Sequence, residues 1–386
     1  MSNAWRATAY LSLFYFIFGL QLPYLPVWLE TARGLDGPQI SFVLFGALLA
    51  RVIVGPVISG WADARTAKIA SVLMAAGAGF GYFVLNLTFD PILLAIVGFF
   101  LMSIVHAIIP LGESSLLLVA GESRPSFGQG RALASLSFVF GVFSGGFLIQ
   151  YVGVSSLVPV ITCLFVGLML IGWLVPSIPL GESGTEAGLW SRMARGIRLY
   201  RRPTLYLLLI SASCIQAAHA FYYGFSTVIW EKQGFSGTEI SFLWVTGVLL
   251  EIAFLAFASK FPAWVTPQRL VLIGAIGAVL RWVSYGFAPD LLSAFILQNL
   301  HALTFAATFI GGVRMVHSEV AKQDQTLALS LLAAIAGAMT GAAGVLSGYL
   351  YEGIGVRGYW AMAALAAIGG LFACLMMLRI STRLER

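Results

Sequence analysis

Residues Ser241–Ser259 read SFLWVTGVLLEIAFLAFAS, an apolar run with a single carboxylate, Glu251, in its middle. At the centre of a bilayer an ionisable side chain costs about 2.5 kcal/mol or more, so it is kept for a substrate or ion pathway with a partner facing it. Two hundred positions earlier the chain repeats itself. Gly34, Gly37, Ile40, Ser41 and Phe42 return as Gly234, Gly237, Ile240, Ser241 and Phe242, and at the same offset Arg51 answers Glu251. Two duplicated membrane halves, each with one charge at the same depth, are how many secondary transporters are built.

Composition agrees. Of 386 residues, 59% are hydrophobic and 10% charged, against roughly a quarter charged in soluble proteins. A spanning helix takes about 20 apolar residues, and twelve such runs fall at about 8–29, 39–60, 68–87, 91–119, 130–152, 156–176, 204–230, 238–259, 268–288, 290–316, 325–350 and 358–379. The first is long, has one Arg before it and is broken by Gln21, Pro23 and Pro26, so it is expected to stay as a helix and not to be cleaved as a signal. The expected fold is therefore an all-α polytopic membrane protein. Its twelve transmembrane helices form two pseudo-symmetric six-helix bundles, 1–176 and 204–386, joined by a cytoplasmic linker at 177–203.

Basic residues on alternate loops set orientation, because cytoplasmic loops are enriched in Lys and Arg. With the N-terminus inside, only Arg33, Lys232 and Arg357 of the 22 basic residues fall on outer loops, while Arg51 and Arg281 lie within runs. Both termini are expected in the cytoplasm. The net charge of +6 is then an orientation signal, and nucleic acid is not an expected partner. Cys163, Cys214 and Cys374 are widely spaced within runs and suggest neither metal nor redox chemistry. The chain has no HExxH, GxSxG or GxxxxGK, so neither an enzyme, a metal site, a cofactor nor an ATP-driven pump is expected.

The remaining polar residues cluster by depth. Asp63, Arg65 and Lys68 follow the second run, either as a charge cluster holding two helices or as a solvated loop. Glu113 and Arg131 lie 9 residues either side of Glu122, in the turn between two antiparallel runs, which predicts a cross-helix ion pair or two groups at the inner water boundary. Small residues, Gly141, Gly145 and Gly146 in the fifth run and Gly337, Gly341, Gly344 and Gly348 in the eleventh, suit tight helix packing. In the linker, Leu189, Trp190, Met193 and Ile197 share a helical face with Arg192, Arg195 and Arg202 around the other, the pattern of a helix on an anionic leaflet or of a regulatory target. His219, Tyr222 and Tyr223 in the seventh run can share one face. Arg281 and His301 are equidistant from Leu291 and so level near the midplane. A buried Arg keeps its proton and needs an anion; Glu251 is the acid at that depth.

Together these stretches resemble the major facilitator superfamily, and within it the branch of lactose permease and the phenylpropionate permease-like proteins. The likeness rests on PYLPVWL at the end of the first run, the Asp63 loop, FGQGR, AHAFYYGF, GVLLEI, LHALTF and YEGIGVRG. It implies that Glu113 and Arg131, with Phe138 stacking on the ligand, bind substrate, and that Glu251, Arg281 and His301 handle the proton. Where the permeases place a Glu three residues after that His, this chain has Thr304. The expected activity is proton-coupled symport of a small organic solute, such as an aromatic acid, nucleoside or glycoside, by alternating access. His219, Tyr223 and His301 join the substrate-binding set, with Phe138, His219 and Tyr223 shaping the cavity, and Asp63, Arg65 and Arg51 serve the loop and the conformational change. A monomer in a bacterial inner membrane, driven by the proton gradient alone, completes the expectation. Proton-coupled efflux of hydrophobic compounds and a passive channel or receptor-like protein are the alternatives.

Overall fold

The computed structural model describes residues 2–49, 57–58, 60–62, 64–120, 124–180, 189–262 and 264–384. Arg51 and Asp63 lie outside them. Among the described residues the regular structure is helical, apart from one isolated bridge between Thr66 and Pro179. The apolar runs become α1 (Asn3–Arg33), α2 (Gly37–Leu49), α3 (Ala67–Leu87), α4 (Pro91–Ala120), α5 (Phe127–Tyr151) and α6 (Leu157–Gly172). They continue as α7 (Pro203–Lys232), α8 (Gly237–Phe257), α9 (Pro267–Tyr285), α10 (Leu291–Glu319), α11 (Gln325–Ile354) and α12 (Gly358–Leu384). Large apolar side chains on the outside, among them Phe80, Phe100, Leu170, Leu280, Leu292 and Leu378, are exposed. Such a surface requires lipid in place of water.

The sequence repeat is a repeated corner. Gly34 and Gly234 both have positive φ, 66° and 88°, which ends α1 and α7 without Cβ strain. Two residues later Asp36 and Ser236 begin the next helices with the same reciprocal cap. Asp36 Oδ1 accepts the Gln39 N–H at 2.9 Å and Gln39 Oε1 accepts the Asp36 N–H at 3.1 Å. Ser236 Oγ accepts the Glu239 N–H at 3.3 Å and Glu239 Oε2 accepts the Ser236 N–H at 2.7 Å. Orphan backbone donors are thereby satisfied at both helix starts.

The chain divides into two compact units, Met1–Thr185 with Gly224–Phe242, and Glu186–Tyr223 with Leu243–Arg386. In the first, α1 and α5 meet backbone to backbone at Gly19 and Gly141. A β-carbon on Gly19 would fall on the Phe138 carbonyl, and one on Gly141 on the Phe16 carbonyl. Gly145 lies on the Tyr24 ring and Gly146 on Ser241 and the Gly237 carbonyl. The same unit holds a Tyr24–Ser241 hydroxyl pair at 2.7 Å and a Lys232–Glu30 ion pair at 2.8 Å.

In the second unit, the short helix Leu189–Leu199 docks on the start of α11. Arg195 pairs with Asp324 at 2.7 Å, and Gly196 rests against Leu327 and Leu331. Tyr200 donates to the Ala328 carbonyl at 2.9 Å, and burial pushes its phenol pKa up. Close approach also joins α9 to α10, with Gly274 on Thr308 and Gly277 on Leu303.

Because backbone cannot yield as a side chain can, Gly141→Leu is expected to cost about 1–3 kcal/mol by overpacking. Thermal unfolding of the purified protein in detergent checks this; a melting temperature equal to that of the parent would contradict it.

Candidate functional site

The second unit gathers Glu251, Arg281, His301, His219 and Tyr223, and two backbone irregularities place them. Helix α10 runs as Leu291–Gln298, then widens to a π-helical segment, Ala302–Ala307, before Thr308–Glu319. Such bulges are frequent at functional sites; this one lies where His301 and Thr304 meet Arg281. Helix α7 is interrupted between Ala217 and Ala220, so the His219 N–H turns to the Gln216 carbonyl at 3.1 Å. The His219 ring then meets the carbonyls of Ile215 and Gln216 through Nδ1, at 3.1 and 3.2 Å.

At the centre is Arg281, whose side chain is fully buried. Its Nη1 donates to His301 Nδ1 at 2.9 Å and to Thr304 Oγ1 at 3.3 Å, and its Nη2 donates to Gln298 Oε1. Rings of Tyr222, Trp282 and Tyr285 lie 4.8, 4.6 and 5.8 Å from the guanidinium carbon, so the cation is held partly by π-faces. The far nitrogen of His301, Nε2, is 3.5 Å from Glu251 Oε2. The guanidinium, imidazole and carboxylate therefore form a string. Glu251 is the open end, with 22% of its side chain exposed against 8% for His301. Gly247, one turn before Glu251, lets α8 approach. A β-carbon there would press on the His301 ring at 3.3 Å.

Around the string His219 is fully buried and bonds through Nε2 to Thr304 Oγ1 at 3.0 Å. Tyr223 is half-buried, stacked on His219 at 5.9 Å and on Trp244 at 6.3 Å. Of these polar groups, Gln298 and Thr304 carry no role in the sequence analysis. Their signal was there, since Gln298, His301 and Thr304 recur every three residues in LQNLHALTF.

The first unit holds a separate cluster. Arg131 Nε and Glu113 Oε1 are 2.7 Å apart, with 37% and 31% of their side chains exposed. Tyr15 donates to the same carboxylate oxygen at 3.1 Å, and its ring lies 4.6 Å from the Arg131 guanidinium carbon. Arg131 Nη1 donates to Ser135 Oγ at 3.1 Å. Phe138, buried, packs on Phe18 at 6.1 Å, two turns of α5 beyond Arg131. Tyr15 was hidden in the aromatic run LFYFIFG, where nothing marks one ring from the next. In FGQGR, Gln129 closes a reciprocal cap with Ser126, so part of that motif starts α5 and does not touch the site. Arg65 sits apart, donating to the Trp61 carbonyl at 2.6 Å and lying 4.1 Å over its ring. Arg51 and Asp63 lie outside the described residues.

The fold is that of a polytopic helical membrane protein with partly open charge clusters inside apolar helices, and its family makes it a membrane transporter of the major facilitator type. Residues 4–362 match the MFS_1 like family, and the chain belongs to it. It is 27% identical over 376 residues, 95% of each chain, to the probable 3-phenylpropionic acid transporter of Escherichia coli (strain K12). It is 23% identical to the maltose permease of Geobacillus stearothermophilus, over 95% of this chain and 92% of that one. The crystal structure of the nucleoside transporter NupG shares its fold, with a TM-score of 0.81 at 16% identity over 98% of this chain and 99% of that one.

Arg281→Lys keeps the charge but not the planar fork that serves three acceptors. It is expected to lower stability by about 1–3 kcal/mol, because buried acceptors lose their donor. Melting in detergent with no loss of stability would contradict that assignment.

Proposed function

We propose that the chain is a proton-coupled symporter that takes up a small organic solute, with an aromatic acid as the first class to test and nucleosides and glycosides next. The observation that carries this is the string of Arg281, His301 and Glu251, in which a carboxylate inside an apolar helix faces an imidazole held from behind by a guanidinium. A carboxyl group in low dielectric keeps its proton unless a cation stabilises the anion. Glu251 takes a proton when the string is loosened and gives it up when His301, backed by Arg281, closes on it. The charge moved across the bilayer is then carried by the proton and not by a naked carboxylate.

Substrate is held in the first unit. Arg131 and Glu113, ion-paired yet a third exposed, offer donors and an acceptor to a polar group, while Tyr15, Phe18 and Phe138 supply ring faces. An aromatic acid fits that mixture through its carboxylate on Arg131 and its ring on the aromatic side, and the 27% identical relative is described as a probable 3-phenylpropionic acid transporter. The halves 1–176 and 204–386, joined by 177–203, alternate access to the two sides. Both termini are cytoplasmic, as the loop basic residues favour, and the membrane is a bacterial inner membrane. A monomer suffices, and the proton gradient replaces any cofactor.

In reconstituted vesicles subjected to a pH jump, inward accumulation of substrate is expected with the parent chain. Glu251→Gln is expected to drop it to the level of protein-free vesicles while sparing counterflow exchange. Gradient-driven uptake that survives Glu251→Gln, or net flux against the direction of proton entry, contradicts the proposal.

A further inference from the structure

We infer that Thr304 and His219 are positioning residues, which fix Arg281 against His301 Nδ1 and thereby lock the two histidines in opposite tautomers, His301 with its proton on Nε2 and His219 with its proton on Nδ1. This deepens the proton-coupling proposal, and rests on it only for the transport arm of the test below.

Donor and acceptor rules fix each link. Arginine has no acceptor, so His301 Nδ1, 2.9 Å from Arg281 Nη1, must present its lone pair. The proton of His301 is then on Nε2, the nitrogen facing Glu251 Oε2 at 3.5 Å. Carbonyl oxygens only accept, so His219 Nδ1, which faces those of Ile215 and Gln216, carries hydrogen. With hydrogen on Nδ1 its Nε2 has to accept, so the Thr304 hydroxyl, which also lies 3.1 Å from the His301 carbonyl, turns its hydrogen to His219 at 3.0 Å, and its lone pairs are left for Arg281 Nη1 at 3.3 Å. Donation therefore runs outward from Nη1 along two branches, through Thr304 to His219 and through His301 to Glu251. The interruption of α7 anchors the first branch, because it is what aims two backbone carbonyls at one ring.

The two hydrogens of Nη1 are divided between these branches, so a change in one is felt in the other. Without the Thr304 oxygen, one buried N–H loses its acceptor, which costs the desolvation of that group. The guanidinium is then drawn off His301 to recover a partner, and His301 is released from its fixed tautomer. Other titratable or charged groups facing the string, among the described residues, are Tyr222 and Tyr223 of α7, Tyr285 of α9 and Tyr359 of α12. Of these groups Arg281 is the permanent cation. A retreat of its charge lets the His301–Glu251 pair hold its proton more tightly.

The chain has four histidines, so nitrogen-15 spectra of histidine-labelled protein can be assigned with His219→Gln and His301→Gln. The expected spectrum shows His301 protonated on Nε2 alone and His219 on Nδ1 alone. Thr304→Val should mix the tautomers of His301 and move the pH midpoint of gradient-driven uptake alkaline by about half a unit or more. Thr304→Ser, which restores the hydroxyl, should return both to the parent values. Two histidines in the same tautomer, or Thr304→Val with His301 still pure Nε2–H, overturns the inference. If the Glu251→Gln vesicles keep their uptake, the coupling proposal falls, and the spectra still decide this one.

Discussion

A guanidinium with no exposed surface sits in the middle of the second unit, and the architecture around it follows from having to satisfy it. Arg281 cannot shed its charge. Left unpaired in an apolar interior, an ion costs several kcal/mol or more. The protein meets that cost with three acceptors, His301, Thr304 and Gln298, and with the faces of Tyr222, Trp282 and Tyr285. It leaves the balancing carboxylate one imidazole away. His301 touches both, 2.9 Å from the guanidinium through Nδ1 and 3.5 Å from the Glu251 carboxylate through Nε2.

Helices alone would not bring these groups together. Regular α-helical spacing was traded for a π-segment in α10 and a break in α7, and side chains were removed at Gly247, Gly274 and Gly277 so that α8 and α9 could close on α10. The first unit uses the same economy differently. Gly19 and Gly141 let α1 and α5 touch through their backbones, which brings Tyr15 of α1 to the Glu113 and Arg131 pair. In both units, then, small residues decide where charges meet.

How much of this was legible in the sequence varies with the scale of the interaction. Membrane spans and their order follow from apolar runs, and the corner at Gly34 and Gly234 was visible as a repeat because its caps are local. The Glu113–Arg131 pair was also legible, since equal distances from one turn place two residues side by side on antiparallel helices. The partner of Arg281 was half legible. Equal depth pointed to Glu251, but the ring of His301 stands between them, in contact with both, which depth alone does not show. His219 read as a cavity residue from its neighbours Tyr222 and Tyr223; the break that follows Ala217 buries it against Thr304 instead. Tyr15 could not be found at all, because contact between α1 and α4 leaves no spacing in a single chain.

The central claim is that Glu251 binds a proton under the control of the cation behind His301. Infrared difference spectroscopy, following the carboxylic acid C=O stretch as pH is lowered, tests it most directly, with Glu251→Gln as the control that identifies the band. One protonated-acid band that rises in a single step, vanishes in Glu251→Gln and changes its midpoint when Arg281 is replaced is the predicted result. A carboxyl at Glu251 that never titrates, or titrates the same whether or not Arg281 is present, would contradict it.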